Sequence, residues 1–235
     1  MVLSWRHVCA FRRDGARVLR ALTSLVVPPL CGICAAACDY REPVCERCRL
    51  SLAAARPRRM TLSGGLEVVS AAAYEGAARK LVAMMKYGSR IGLAKVAAGR
   101  MLPALGASPR ATMVPVPPAP ARERARGFDT AHILARMITV RAPGCEVGQC
   151  LVRRDGPRQV GRRRAARLSD PPHVRMSARA PEGDVWLVDD VVTTGATLKS
   201  CADVLLGAGV SEVRALTFAW AGLAEDSFAE TSFEA

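Results

Sequence analysis

From Gly76 to Met85 the apolar residues Ala78, Leu81, Val82 and Met85 recur at helical spacing, and the run stops at Lys86-Tyr87-Gly88. This predicts an amphipathic helix with a basic last turn. A second helix is predicted over Ile91 to Leu105, and a third resumes from Phe128 in FDTAHILARMI. LEVVSAAAY (Leu66 to Tyr74), MVPVP (Met113 to Pro117) and SEVRALTFAWA (Ser211 to Ala221) read as strands. The prolines place the second at a strand end or a sheet edge, while Gly207 and Gly209 end a helix before the third. A weak strand is expected near Val147 to Val152, and Arg56-Pro57-Arg58-Arg59 reads as a linker. Strands alternating with helices predict an α/β fold with a mainly parallel sheet.

One stretch breaks the simple pattern. In VWLVDDVVTTGATL, Val185 to Val188 are all apolar, as in a central parallel strand covered on both faces. The carboxylates of Asp189 and Asp190 follow, at the end of the sheet where α/β proteins bind ligands. Two adjacent ionised acids repel, so an apolar strand end tolerates them only with compensation. A ribose diol supplies two hydroxyl donors, and a magnesium ion carried by the same ligand supplies positive charge. The turn Thr193-Thr194-Gly195-Ala196-Thr197 then offers hydroxyls and the free amides of a helix N-terminus, a seat for a phosphate monoester. Acids for the sugar and amides for its 5'-phosphate describe a ribose 5-phosphate ligand. A capped helix after an acidic turn is the simpler alternative. No GxxxxGK[ST] or GxGxxG motif is present, which disfavours P-loop and dinucleotide folds.

The N-terminal part is organised differently. Cys31-x-x-Cys34 and Cys45-x-x-Cys48 are ten residues apart, so each pair can clamp one side of a tetrahedral ion. Structural zinc is the leading reading; an iron-sulfur cluster, disulfides and unligated thiols remain open. Cys38, between the pairs, is a spare thiol or an alternative ligand. The segment is too short to hold a core of its own, so bound metal would supply folding energy. These features divide the chain into residues 1–60, an N-terminal helix with the four-cysteine module, and residues 61–235. Cys9, Cys145, Cys150 and Cys201 are expected to be packing residues, as are Trp186 and Trp220.

The apolar run Val18 to Leu30 follows several arginines but contains Arg20 and leads into the cysteines without a cleavage site. It is read as a leading amphipathic helix. No run reaches the length of a membrane span, and a cytoplasmic location is expected. The tail after Gly222 is acidic and expected to fray. The 235 residues carry 34 basic and 21 acidic side chains, a net charge of +13. That balance favours polyanionic ligands such as phosphates or nucleic acid. Nearly half of it sits between Arg153 and Arg167, where seven arginines accompany one acid, Asp155. Aromatic residues are only 5% of the chain, few for stacking single-stranded DNA. His7, His132 and His173 have no partner spacing and receive no role.

VWLVDDVVTTGAT resembles the thirteen-residue signature of type I phosphoribosyltransferases. The four-cysteine N-terminus, YEGAARKLVAMMKYG, VPVPPAPARERARGFDTAHILA and the basic stretch follow in the order of the ComF family of competence-associated phosphoribosyltransferase-like proteins. The resemblance spans about Pro28 to Ala221. It implies a type I phosphoribosyltransferase-like sheet with flanking helices, preceded by a small zinc-ribbon-like module. It further implies that Asp189 and Asp190 bind the ribose of phosphoribosyl pyrophosphate and orient its reacting centre, with magnesium, and that Thr193 to Thr197 bind the 5'-phosphate.

The basic stretch is then a lid in which Gln159 and Arg167 match recurring family positions. Lys86 matches a family lysine, and the Arg122 to Arg126 segment lies toward pyrophosphate. Two partner classes follow. One is phosphoribosyl pyrophosphate or another nucleotide-like small molecule, with phosphoribosyl transfer; the other is single-stranded DNA or competence-machinery proteins, with the pocket retained for binding. No segment clearly reads a nucleobase. The chain departs from the family's RGFNQ at Asp129 and Thr130, and around the lid at Ala166 and Asp170. Asp129 and Asp170 replace amide donors with charges.

Overall fold

The computed structural model describes residues 29–39, 41–88, 91–106, 110–154, 172–222 and 229–230. The expected N-terminal helix lies almost wholly outside these residues. So do Gln159, Ala166, Arg167 and Asp170.

The helical periods form helices where expected. Helix α1 (Glu46–Ala53) follows the second cysteine pair, α2 (Gly76–Gly88) and α3 (Ile91–Met101) follow, and a 3₁₀ turn covers Leu102–Leu105. Helix α4 (Pro120–Arg126), which the apolar pattern does not reveal, starts with proline in its first turn. Helix α5 (Thr130–Thr139) and α6 (Ala196–Gly207) complete the set. The strands are β1 (Arg58–Thr61), β2 (Glu67–Ala73), β3 (Ala111–Pro115), β4 (Cys145–Val147), β5 (Leu151–Arg153), β6 (Val174–Met176), β7 (Asp184–Val192), β8 (Val213–Trp220) and β9 (Ala229–Glu230).

Seven strands form one sheet in the order β4-β3-β7-β8-β2-β1-β9. The pairs from β4 through β2 are parallel, whereas β1 and β9 add antiparallel at one edge. Helices cover both faces, and alternation along β7 assigns the residues to them. Trp186 and Val188 pack toward α2, α3 and α5 with Leu81, Leu93, Leu134 and Phe218. Val185 and Leu187 pack toward α6 with Val68, Val114, Leu198 and Leu205. The cysteine segment contributes Cys31, Ile33, Val44, Cys48 and Leu52 to the first of these cores. It thereby gains the burial that its own length cannot supply.

Four expectations change. Arg58 and Arg59 belong to β1 and not to a linker, because Arg59 pairs with Glu67 on β2 and Arg58 lies 4.4 Å from the centroid of the Trp220 ring. Trp220 is consequently half-buried at a strand end, while Trp186 is core. The single strand expected at Val147 to Val152 divides: β4 joins the main sheet, and β5 leaves it to pair antiparallel with β6. Part of the acidic tail, Ala229–Glu230, pairs with Met60 and Thr61. MVPVP is an interior strand whose prolines fall at its end, since β3 stops at Pro115. Among the described residues no helix is long and apolar enough to cross a membrane.

Candidate functional site

Strand β7 outlasts its neighbour. Pro115 of β3 is opposite Val188, and the Val116 N–H donates to the Val188 carbonyl at 2.9 Å. Beyond that point β7 continues to Val192 beside β8, with Asp189 opposite Thr217. The acid pair therefore stands just past the end of β3, two residues before its own strand ends. Strand alternation sends the two carboxylates to opposite faces. Asp190 takes the face of Val188, where Lys86 from the last turn of α2 meets it, Nζ to Oδ1 at 2.7 Å. Asp190 is only 7% exposed, and the lysine supplies a compensating charge. Asp189 takes the face of α6, and its Oδ1 accepts from the Asp190 N–H at 2.7 Å.

Asp189 is the strained member of the pair. Burial and then the negative charge of Asp190 push its carboxyl up to about 8, against the opposing pull of the Asp190 amide and Lys86. Asp129 adds a further push and so belongs to the same electrostatic site. Asp129 is the N-cap of α5: its Oδ1 accepts from the His132 N–H at 3.1 Å. The cap uses an acceptor oxygen, so the carboxylate serves here without the donor that an amide would bring. Burial raises its pKa as well. The next residue, Thr130, is 6% exposed, and its Oγ1 has no hydrogen-bond partner among the described residues.

After Val192 the chain turns through exposed Thr193 and Thr194 to Gly195, which sits at φ 74° as the N-cap of α6. Thr194 Oγ1 accepts from the Ala196 N–H at 3.3 Å. The first-turn amides of Ala196, Thr197 and Leu198 have no carbonyl four residues back within the helix. Gly195 is required twice over. Its φ is left-handed, and a Cβ there would come within 2.3 Å of Leu62 Cδ1. Arg122 lies exposed on α4 and Arg126 half-buried in its last turn, ahead of the Gly127 turn that leads to Asp129.

The structure thus brings Lys86, Asp189 and Asp190 together beside the Thr193–Thr197 turn, and adds Asp129. Sequence reasoning noted Asp129 only as a departure; an Asp directly before a helical period was the available signal for its cap. It also missed the buried Ser70 and Thr217 hydroxyls, 2.6 Å apart, which extend the level of Asp189 across β8 to β2. Lone hydroxyls within EVVSAAA and VRALTFAW were the clue.

The second chemical centre is the cysteine module. The four sulfurs of Cys31, Cys34, Cys45 and Cys48 lie within 4.8 Å of one another. A zinc ion with Zn–S bonds of about 2.3 Å needs sulfurs about 3.8 Å apart, so the quartet fits with small inward shifts. Cys34 and Cys45 are 3.5 Å apart, which is not a disulfide distance. The Cys34 thiol is lowered to about 6, chiefly by a hydrogen bond from the Ala36 amide and by Cys45, and the Arg47 guanidinium stands beside it. The Ile33 N–H donates to Cys31 Sγ at 3.4 Å. Cys38 lies outside the quartet and donates to the Glu42 carbonyl at 3.6 Å. These four cysteines point to structural zinc.

The mostly parallel sheet with flanking helices, the acid pair with its turn, and the four-cysteine N-terminus agree with the resemblance to type I phosphoribosyltransferases and the ComF family. Over 98 residues the chain is 34% identical to the competence protein ComFC of Bacillus subtilis (strain 168). That match covers 41% of this chain and 39% of the relative, so the chain spans about two fifths of the relative's length. No family model matches the chain. Solved structures similar to it include an orotate phosphoribosyltransferase from Aeropyrum pernix, with TM-score 0.38, 18% identity, and coverage of 74% of this chain and 92% of that one. A hypoxanthine phosphoribosyltransferase from Staphylococcus aureus has TM-score 0.33 and 14% identity, with coverage of 57% and 66%.

Proposed function

We propose that the chain binds phosphoribosyl pyrophosphate, or a closely related ribose 5-phosphate ligand, with magnesium, and transfers the phosphoribosyl group with release of pyrophosphate. The observation that carries this reading is the junction of β7 and α6: a compensated acid pair followed directly by a hydroxyl-rich turn at a helix N-terminus. Asp189 and Asp190 accept the ribose hydroxyls. The amides of Ala196 to Leu198, with the hydroxyls of Thr193, Thr194 and Thr197, hold the 5'-phosphate. As pyrophosphate departs, positive charge develops at the sugar, and the Asp190 carboxylate, ion-paired with Lys86, is the group placed to stabilise it. Lys86, which is paired with Asp190, is proposed to meet the leaving phosphates, as are Arg122, Arg126, Gln159 and Arg167.

Among the described residues the cysteine quartet is the group of three or more side chains that could hold a metal by itself. The acid pair nevertheless suits magnesium, which is commonly held by one or two carboxylates plus substrate phosphates. When bound, that ion supplies charge neutralisation for the departing pyrophosphate.

The test is pyrophosphate release from phosphoribosyl pyrophosphate across a panel of nucleobases, with Asp190→Asn as the blank. Release that depends on one acceptor and is lost in the variant is the expected result. Binding without turnover would favour the second reading, a nucleic-acid-associated protein that retains the pocket for regulation. Similarity to a competence protein and the net charge of +13 support that alternative.

A further inference from the structure

A cleft of about 960 Å³ lies between α1, the segment leading into β1, and the first turn of α2. None of the acid-pair or phosphate-turn residues lines it. Its wall carries three arginines, Arg56, Arg58 and Arg59, against one acid, Glu75, and includes the indole of Trp220. Arg59 is paired with Glu67. Arg58 covers the Trp220 ring, so that a planar cation and an indole lie stacked in the wall. Arg56 is exposed and pairs with no acid among the described residues. The first turn of α2 contributes Gly76 and Ala77 to the cleft. A Cβ added to Gly76 would meet nothing within 4 Å. A seam of purely structural purpose is normally closed by apolar packing. This one stays open at the size of a small-molecule site and keeps a cationic rim.

We propose that this cleft is a second binding site for a nucleotide-class ligand, its planar base against the Arg58–Trp220 stack and its phosphate between Arg56 and the first turn of α2. The proposal does not depend on the acid pair. Free nucleotides and single-stranded nucleic acid carry the same chemistry, and the test distinguishes them.

Full-length protein is titrated calorimetrically with adenosine monophosphate, inorganic phosphate and a twelve-nucleotide oligothymidylate. Binding is repeated on Arg56→Glu and on Ser51→Trp, two variants at exposed positions, the second of which fills the cleft. Both are expected to weaken adenosine monophosphate by roughly tenfold or more, the size of a lost charge-assisted phosphate contact. Photocrosslinking with 8-azido-adenosine monophosphate, under saturating phosphoribosyl pyrophosphate, localises the ligand independently of those affinities. Label in the peptides around Arg56 and Gly76 is expected. Oligothymidylate binding more tightly than the mononucleotide, with the same sensitivity to both variants, supports the proposal with a strand as the source. Label confined to peptides around Asp190, binding unaffected by both variants, inorganic phosphate binding as tightly as the nucleotide, or no binding by any probe would each overturn it.

Discussion

Neighbouring acids on a strand cannot share a face, so Asp189 and Asp190 meet different surroundings although they are adjacent in sequence. Asp190 gains Lys86 at 2.7 Å. Asp189 is buried, faces the charge of Asp190 and, more weakly, of Asp129, and gains a single amide, so its carboxyl is pushed up to about 8 from its ordinary 3.8. The folded chain therefore keeps a proton on Asp189 between about pH 4 and 8, where the unfolded chain has released it. With more protons bound in the native state, this residue's contribution to stability falls as pH rises through that window and is lost above about 8. Melting curves of ligand-free wild type and Asp189→Asn at pH 5.5 and 8.5 measure the effect. The variant is expected to gain on wild type at the higher pH, by on the order of a few degrees. Parallel pH dependences in the two proteins would show that Asp189 ionises normally.

At the level of elements, Asp129 couples a helix start to the acid pair. Asn and Asp cap helices about equally well, whereas Ala loses the acceptor at a cost of about 1 kcal/mol. Asp129→Asn and Asp129→Ala both remove the charge, so the difference between their urea unfolding free energies isolates the cap; Asn should be the more stable by about that amount. Equal stabilities would show that the His132 contact contributes nothing. The cysteine quartet is a second element-level device. About one zinc per chain is expected on metal analysis, lost when Cys31 and Cys34 are both changed to Ser, because two thiolates cannot hold the ion against a chelator. An iron chromophore, or no metal after reducing purification, would reject zinc. Elements with a clear period were legible from sequence: α2, α3, β7 and the turn into α6 follow from apolar spacing and glycine placement. Strand β1 was not, because Arg58 and Arg59 look solvated until Trp220 and Glu67 arrive from distant strands. Nor was the division between β4 and β5, since Cys145 to Arg153 gives no local sign of which sheet each half will join.

For the whole molecule, the contacts that assemble the site are long-range, and sequence order cannot display them. Lys86 and Asp190 are brought together by the path of α2, and Asp129 joins through α5. The composition, by contrast, states its message openly: 34 basic residues against 21 acidic ones, with nearly half the excess between Arg153 and Arg167. Two assignments of that charge make opposite predictions. If Arg162, Arg163 and Arg164 track a nucleic-acid backbone, changing all three to Ala weakens single-stranded DNA binding and flattens its salt dependence by roughly 0.7 log units per lost phosphate contact. If they close over pyrophosphate, the same variant loses phosphoribosyl pyrophosphate affinity while DNA binding barely changes. The second outcome is expected, because the run from Arg153 to Arg167 contains no aromatic residue on which bases could stack. Titrating both ligands against wild type and variant at several salt concentrations decides the matter: normal phosphoribosyl pyrophosphate binding with DNA binding lost would assign the charge to nucleic acid.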